Sequence, residues 1–249
     1  MEPNVTTPLP GRPLSHRAAL LALVADPARR HRLLGIGALL ALLIVALLSI
    51  LTRLSVALRL DLWFTQEVQE HRWRILLDIM AGVSIFGSMP WALVTIGGGV
   101  LLVWLWLGWR QAGYLFAITV GQGLINAAIK SAIGRPRPIA GVVDVFVPEQ
   151  GYSFPSGHVM FYTVFFGFFV ALILLHLPPG RLRLIAAAPP ALLVLLVGPS
   201  RIFLGAHWLS DVVAAYLLGF TILAFAIEGF VRFAPQLRDR SPALEVPSA

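Results

Sequence analysis

Residues 33–51 are nearly pure Leu, Ala, Ile, Val and Gly, and five comparable apolar runs follow at 91–109, 112–130, 157–177, 184–199 and 211–231. A helix needs about 20 mostly apolar residues to cross a hydrocarbon layer of about 30 Å. Runs of this length, rather than the spacing of a half-buried helix or strand, point to an all-α, polytopic membrane protein with six transmembrane helices. Composition agrees: 58% of residues are hydrophobic and 12% charged, with a mean hydropathy of +0.83, where an average soluble domain carries roughly 25% charged residues. Six spans put both termini on one side. Residues 1–32, rich in Pro and Arg, and 232–249 are read as cytosolic tails, the first without fixed structure, flanking a membrane domain over 33–231.

Basic residues orient the spans. With the N-terminus in the cytosol, eleven of the 19 Lys and Arg lie on that side, in the sense of the positive-inside rule. The net charge of +7 is read as loop retention and attraction to anionic headgroups; no basic helix or aromatic platform suited to nucleic acid is found. The lack of cysteine excludes a disulfide framework, a thiolate nucleophile and Cys-ligated metal. Between the first two spans, 73–88 is too polar to cross, yet Ile75, Ile79, Val83 and Phe86 give it one apolar helical face. An interfacial helix is expected there. Gly97, Gly98 and Gly99 read as close helix packing, and Pro189 and Pro190 as a kink or break in the fifth span.

Polar groups in or beside apolar spans are costly, which makes them functional candidates. Lys130 ends the third span, Ser156, Gly157 and His158 open the fourth, Arg201 closes the fifth, and His207 and Asp211 open the sixth. Alternating helix direction gathers these ends, with Arg137, at one face of the bilayer. Lys130, Arg137 and Arg201 can stabilise the charge that phosphoryl transfer spreads over three oxygens. A helix beginning at 156–158 offers free N–H groups to an anion, with Ser156 as a candidate N-cap and Gly157 allowing close approach. His207 and Asp211, four apart, share a helix face if the helix begins that early. The carboxylate can hold one imidazole nitrogen protonated and leave the other to attack phosphorus, and His158 can protonate the departing oxygen. Spacing alone does not decide which histidine attacks. No further acidic or histidine cluster has metal-ligand spacing, so neither metal nor cofactor is expected. Arg135 is left open between an interfacial and a functional role. Gln122, Asn126 and Lys130 form a polar stripe, for interhelical hydrogen bonding or for support of Lys130.

Three motifs now stand in order: K-x6-R-P at 130–138, P-S-G-H at 155–158 and S-R-x5-H-x3-D at 200–211. Together they resemble the tripartite signature of the type 2 phosphatidic acid phosphatase superfamily, over about residues 33–231. The resemblance implies a metal-independent phosphatase with a phosphohistidine intermediate. Within it His207 is the nucleophile, Asp211 its orienting partner and His158 the general acid, while Lys130, Arg137, Ser156, Gly157 and Arg201 hold the phosphate. The run 151–161 is similar to bacterial phosphatidylglycerophosphatase B-type enzymes, which implies a bacterial plasma membrane and lipid partners; with the N-terminus in the cytosol, span parity puts the gathered ends, and so the active site, at the extracytoplasmic face. Undecaprenyl diphosphate, phosphatidylglycerophosphate and phosphatidic acid are the expected substrates. Transfer of the phosphoryl group to a lipid or glycan, or a non-catalytic lipid-binding scaffold or transporter, are the alternatives.

Overall fold

The computed structural model of the chain describes residues 27–54, 56–71 and 73–233; most of both expected tails lies outside this range. Two compact units divide the chain, Met1–Leu39 and Leu40–Ala249. The described part of the first is the opening of α1 (Pro27–Arg53), where Leu33, Ile36 and Leu39 stand exposed. The second holds the rest of α1, then α2 (Val56–Gln69), α3 (Arg74–Ser84), a 3₁₀ turn (Ile85–Gly87), α4 (Trp91–Leu107), α5 (Trp109–Ile133), α6 (Gly157–His176), α7 (Arg181–Phe203) and α8 (Leu209–Phe233). Among the described residues, α1, α5, α6, α7 and α8 are long and apolar enough to cross a membrane. At 17 residues α4 qualifies only with α3 and its 3₁₀ turn, from which it bends by 63°. Six spans result when that bent pair counts as one.

The second unit is organised around α6. Every residue from 159 to 165 is buried, and 67% of the α6 apolar window is enclosed against at most 39% in the other spanning helices. A helix enclosed on all sides must be apolar on all sides. Phe161, Phe165, Phe166 and Phe169 meet this need, their rings packed edge to face or stacked 5–6 Å apart. Lipid is as apolar as Leu, so helices associate in a bilayer by close fit. Gly99 of α4 lies against Phe165, and Gly219 of α8 against Thr163, each with no room for a Cβ. Gly97 and Gly98 face open space, so only one of the three expected packing glycines packs.

Of the kink or break expected at Pro189–Pro190, the break does not occur: α7 runs on through both and through Pro199. Proline removes a donor and strands a carbonyl one turn back, and membrane helices tolerate this where a neighbour re-satisfies the backbone. Near Pro199 the neighbour is Tyr216 of α8. Its hydroxyl lies 3.3 Å from Leu195 O, the carbonyl that Pro199 leaves without a donor, and bridges the adjacent pair, accepting from Gly198 N–H at 3.0 Å and donating to Val194 O at 2.6 Å.

The helix expected within 73–88 is α3 and its 3₁₀ turn. Its protein-facing side is Met80, Val83 and Ser84, whereas Ile75, Ile79 and Phe86 are exposed. Of the apolar stripe seen in the sequence only Val83 is buried, the other three turning away from the protein, and Ser84, which was not read, carries a contact to the site.

Candidate active site

The end of α5, the start of α6, the end of α7 and the start of α8 converge, joined by the loops 134–156 and 204–208. His207 lies in the second loop and is fully enclosed. Its Nδ1 is 3.4 Å from Asp211 Oδ2, which also accepts the Trp208 N–H at 3.0 Å. Its Nε2 is 3.2 Å from Arg137 Nη1. A guanidinium can only donate, so this Nε2 carries its lone pair towards the site and Nδ1 carries the proton towards Asp211. Burial, then the charges of Arg201, Arg137 and Lys130, hold the His207 imidazole well below the ordinary histidine value. It is a neutral base with an outward lone pair.

His158 stands across from it at the first turn of α6. Ser88 Oγ is 3.0 Å from its Nε2 and 3.3 Å from Ser84 O. Donation from Ser88 to that carbonyl leaves its oxygen to accept from His158 Nε2–H, which turns Nδ1 to the site. The approach of His158 requires a glycine at 87, because a Cβ there would lie 2.6 Å from its Cδ2. Arg201 is fully buried, donating through Nη1 to Ser84 Oγ. α3 and its turn therefore fix both a cation and the second imidazole.

Lys130 and Arg137 play different parts. Lys130 Nζ donates to Tyr152 O at 2.6 Å and Ser153 O at 3.3 Å, holding the segment before α6. Asn126, one turn back, donates to Pro155 O at 3.3 Å. Two members of the polar stripe thus clasp residues 152–155, which lead into α6. Arg137 donates through Nε to Gly151 O and through Nη1 to Ala206 O, joining the two loops. Ser156 occupies the N-cap position of α6 but makes no side-chain capping bond, and its buried hydroxyl has no partner. The first-turn N–H groups it would cap stay open to an anion. Gly157 lies against Asn126 and Lys130, with Asn126 Oδ1 3.3 Å from where a Cβ would stand.

Half of the chain, residues 110–234, matches the profile of the PAP2 superfamily. The Bacillus subtilis protein named phosphatidylglycerophosphatase B is 30% identical over 170 residues, covering 66% of this chain and 79% of that protein. The chain belongs to the PAP2 superfamily. A Rhizobium etli protein named lipid A 1-phosphatase is 38% identical over 123 residues, 46% of this chain and 48% of that protein. The crystal structure of a transmembrane PAP2-type phosphatidylglycerolphosphate phosphatase from Bacillus subtilis shares the fold, with a TM-score of 0.69 over 79% of this chain and 96% of that one at 23% identity. This PAP2 chain is an integral membrane hydrolase of phosphate esters.

Five residues around the candidate site, Glu149, Arg135, Asp61, Ser84 and Ser88, were not singled out from the sequence as site residues. Glu149, in loop 134–156, is bound by Arg137 Nη1 at 2.9 Å and by Arg201 Nη2. Its oxygens lie 3.8 Å from His158 Nδ1 and 3.9 Å from His207 Nε2. Burial raises its carboxyl, but Arg201, His158, His207 and Arg137 outweigh that and hold it at about 2. Arg135, left open above, is buried and binds Asp211 Oδ1 with one head nitrogen and Asp61 Oδ2 of α2 with the other. Asp61 in turn accepts the Ser210 N–H at 2.8 Å and hydroxyl at 2.7 Å. Beside the site, Arg137, Ile139, Trp208 and Leu62 help to line a cavity of about 480 Å³.

Proposed function

We propose that this PAP2 protein removes phosphate from a lipid phosphate monoester or lipid diphosphate through a phosphohistidine on His207. The supporting observation is the Glu149 carboxylate: an anion gripped by Arg137 and Arg201, within 4 Å of the inward nitrogens of both imidazoles. A phosphoryl group exchanged for that carboxylate has its oxygens on the arginines and its phosphorus within reach of His207 Nε2.

From that position Nε2 forms the N–P bond as the P–O bond to the lipid breaks. The Nδ1 proton of a protonated His158 passes to the leaving oxygen. Asp211 faces the growing positive charge on His207 through Nδ1–H. Water then attacks the phosphohistidine, giving a proton to His158, and phosphate leaves with both histidines restored. Arg137, Arg201 and the α6 N-terminus stabilise the charge on the transferring group at each step. The names of the relatives support lipid substrates of the phosphatidylglycerophosphate and lipid A 1-phosphate kind, and the cavity lined by Leu62, Ile139 and Trp208 suits an apolar chain. The test is phosphate release by purified protein from phosphatidylglycerophosphate, undecaprenyl diphosphate and phosphatidic acid, with an alkaline detergent quench to trap protein labelled from the substrate phosphate. Release without any acid-labile, base-stable phosphoprotein, and with His207→Ala still active, would overturn the covalent route.

A further inference from the structure

Glu149 is held at its post by the loop around it. Phe146 and Val147 donate their N–H groups to Leu204 O at 3.1 and 3.4 Å, and Gln69 exchanges two hydrogen bonds with the Asp144 backbone. On the other side Gly151 O is bound by Arg137, and Ser153 N–H donates to Arg135 O at 2.8 Å. Residues 148–150 thus form a short arch with both feet fixed to the site. The arch cannot retreat without breaking these bonds, but the Glu149 side chain keeps 20% of its surface exposed and can leave by rotating about its own bonds. The carboxylate and a bound phosphoryl group need the same guanidinium nitrogens. They exclude each other.

An incoming anion must therefore match what Glu149 gives the two arginines before it gains anything. A phosphate monoester or a terminal phosphate carries close to two charges and three free oxygens at neutral pH. A phosphodiester carries one charge and two free oxygens, so it trades one monoanion for another and leaves Glu149 beside it with no cation. The distinction matters in a bilayer, where phosphodiester headgroups surround the site at high local concentration and a cationic pocket without a counter-anion would collect them. We propose that Glu149 is a resident counter-anion that sets an affinity threshold at the phosphate site, passed by phosphate monoesters and not by the phosphodiester lipids of the surrounding membrane. The inference rests on the reading of this site as a phosphoryl site.

Because either anion must displace the same carboxylate, its removal strengthens both by a common factor and lowers the threshold without changing their order. The experiment measures inhibition of lipid phosphate hydrolysis in detergent micelles by orthophosphate and by phosphatidylglycerol, for the wild type, Glu149→Gln and Glu149→Ala. The glutamine keeps the shape and removes the charge; the alanine checks that the amide adds no contact of its own. Both inhibition constants should fall at least about tenfold in both variants, equivalent to roughly 1.4 kcal/mol, so that phosphatidylglycerol inhibits the variants at levels the wild type ignores. Constants that rise or stay unchanged would make Glu149 an organiser of the arginines and overturn the proposal. A fall for orthophosphate alone would show that diesters are excluded by shape, and would overturn it too. Failure of orthophosphate to compete in any of the three proteins would instead reject the phosphoryl-site reading itself.

Discussion

His207 faces two ways, and each direction has a measurable consequence. Its Nδ1–H is aligned with Asp211 and its Nε2 lone pair with Arg137, and burial with the nearby cations keeps the ring neutral. In the proposed mechanism the neutral form is the nucleophile. Since its pKa is lowered, activity is retained below the ordinary histidine value of about 6.5 and is lost only as pH falls through the lower value. The acid limb of kcat/KM, which reports the free enzyme, should lie clearly below pH 6.5; a limb at or above it would mean that His207 is not the attacking base. The second histidine separates from the first by what is leaving. His207→Ala should abolish turnover and phosphoprotein for every substrate. His158→Ala should cripple phosphatidic acid hydrolysis, where an alkoxide needs a proton and general acid help is worth roughly 10²–10⁴ in rate. Much of the activity on nitrophenyl phosphate or a lipid diphosphate should remain. Equal losses on good and poor leaving groups, with no phosphoprotein accumulating, would reject His158 as the donor.

The elements that hold these residues were legible to different degrees. Helix ends that meet at one face follow from span parity alone, and the motif residues sit on those ends, so Lys130, Arg137, His158, Arg201, His207 and Asp211 could be gathered without coordinates. Glu149 could not, because a loop glutamate has no periodicity to mark it. Ser84 and Ser88 were hidden by the stronger apolar stripe of Ile75 and Ile79 on the opposite side of α3. Asp61, Thr65 and Gln69 did carry a signal, four residues apart on α2 and all buried, but no span drew attention to that helix. Through Asp61 and Arg135, α2 reaches the back of Asp211. A buried guanidinium shared by two carboxylates is costly to disturb: removing one member of such a set typically costs about 3–5 kcal/mol. Arg135→Ala, which leaves Asp61 and Asp211 enclosed without their shared cation, should shorten the half-life of the detergent-solubilised protein on heating, with Asp61→Asn milder. Arg135→Ala as durable and active as the wild type would show that this bridge does not support Asp211.

At the scale of the whole molecule the open question is which side of the membrane the site faces, and the structure sharpens the sequence argument. The raw bias of basic residues is modest, eleven of 19. Yet Lys130, Arg135, Arg137 and Arg201, half of the eight on the site side, are bound into the loops and carboxylates of the site. Their positions are set by chemistry rather than by topology. With those four set aside the bias becomes eleven to four, and residues such as Arg110, Arg181 and Arg183 fall at the helix ends remote from the site. Under the positive-inside rule that remote end is expected in the cytosol and the site outside, facing lipid phosphates of the outer leaflet. A chain without cysteine allows a direct test. Cysteines introduced singly at Gln150, exposed on the arch, and at Leu182, exposed at the start of α7, can be challenged in intact cells with a maleimide that does not cross membranes. The Gln150→Cys protein should label at once and the Leu182→Cys protein only after permeabilisation. The reverse pattern would turn the site to the cytosol, and the substrate would then be a lipid phosphate of the inner leaflet.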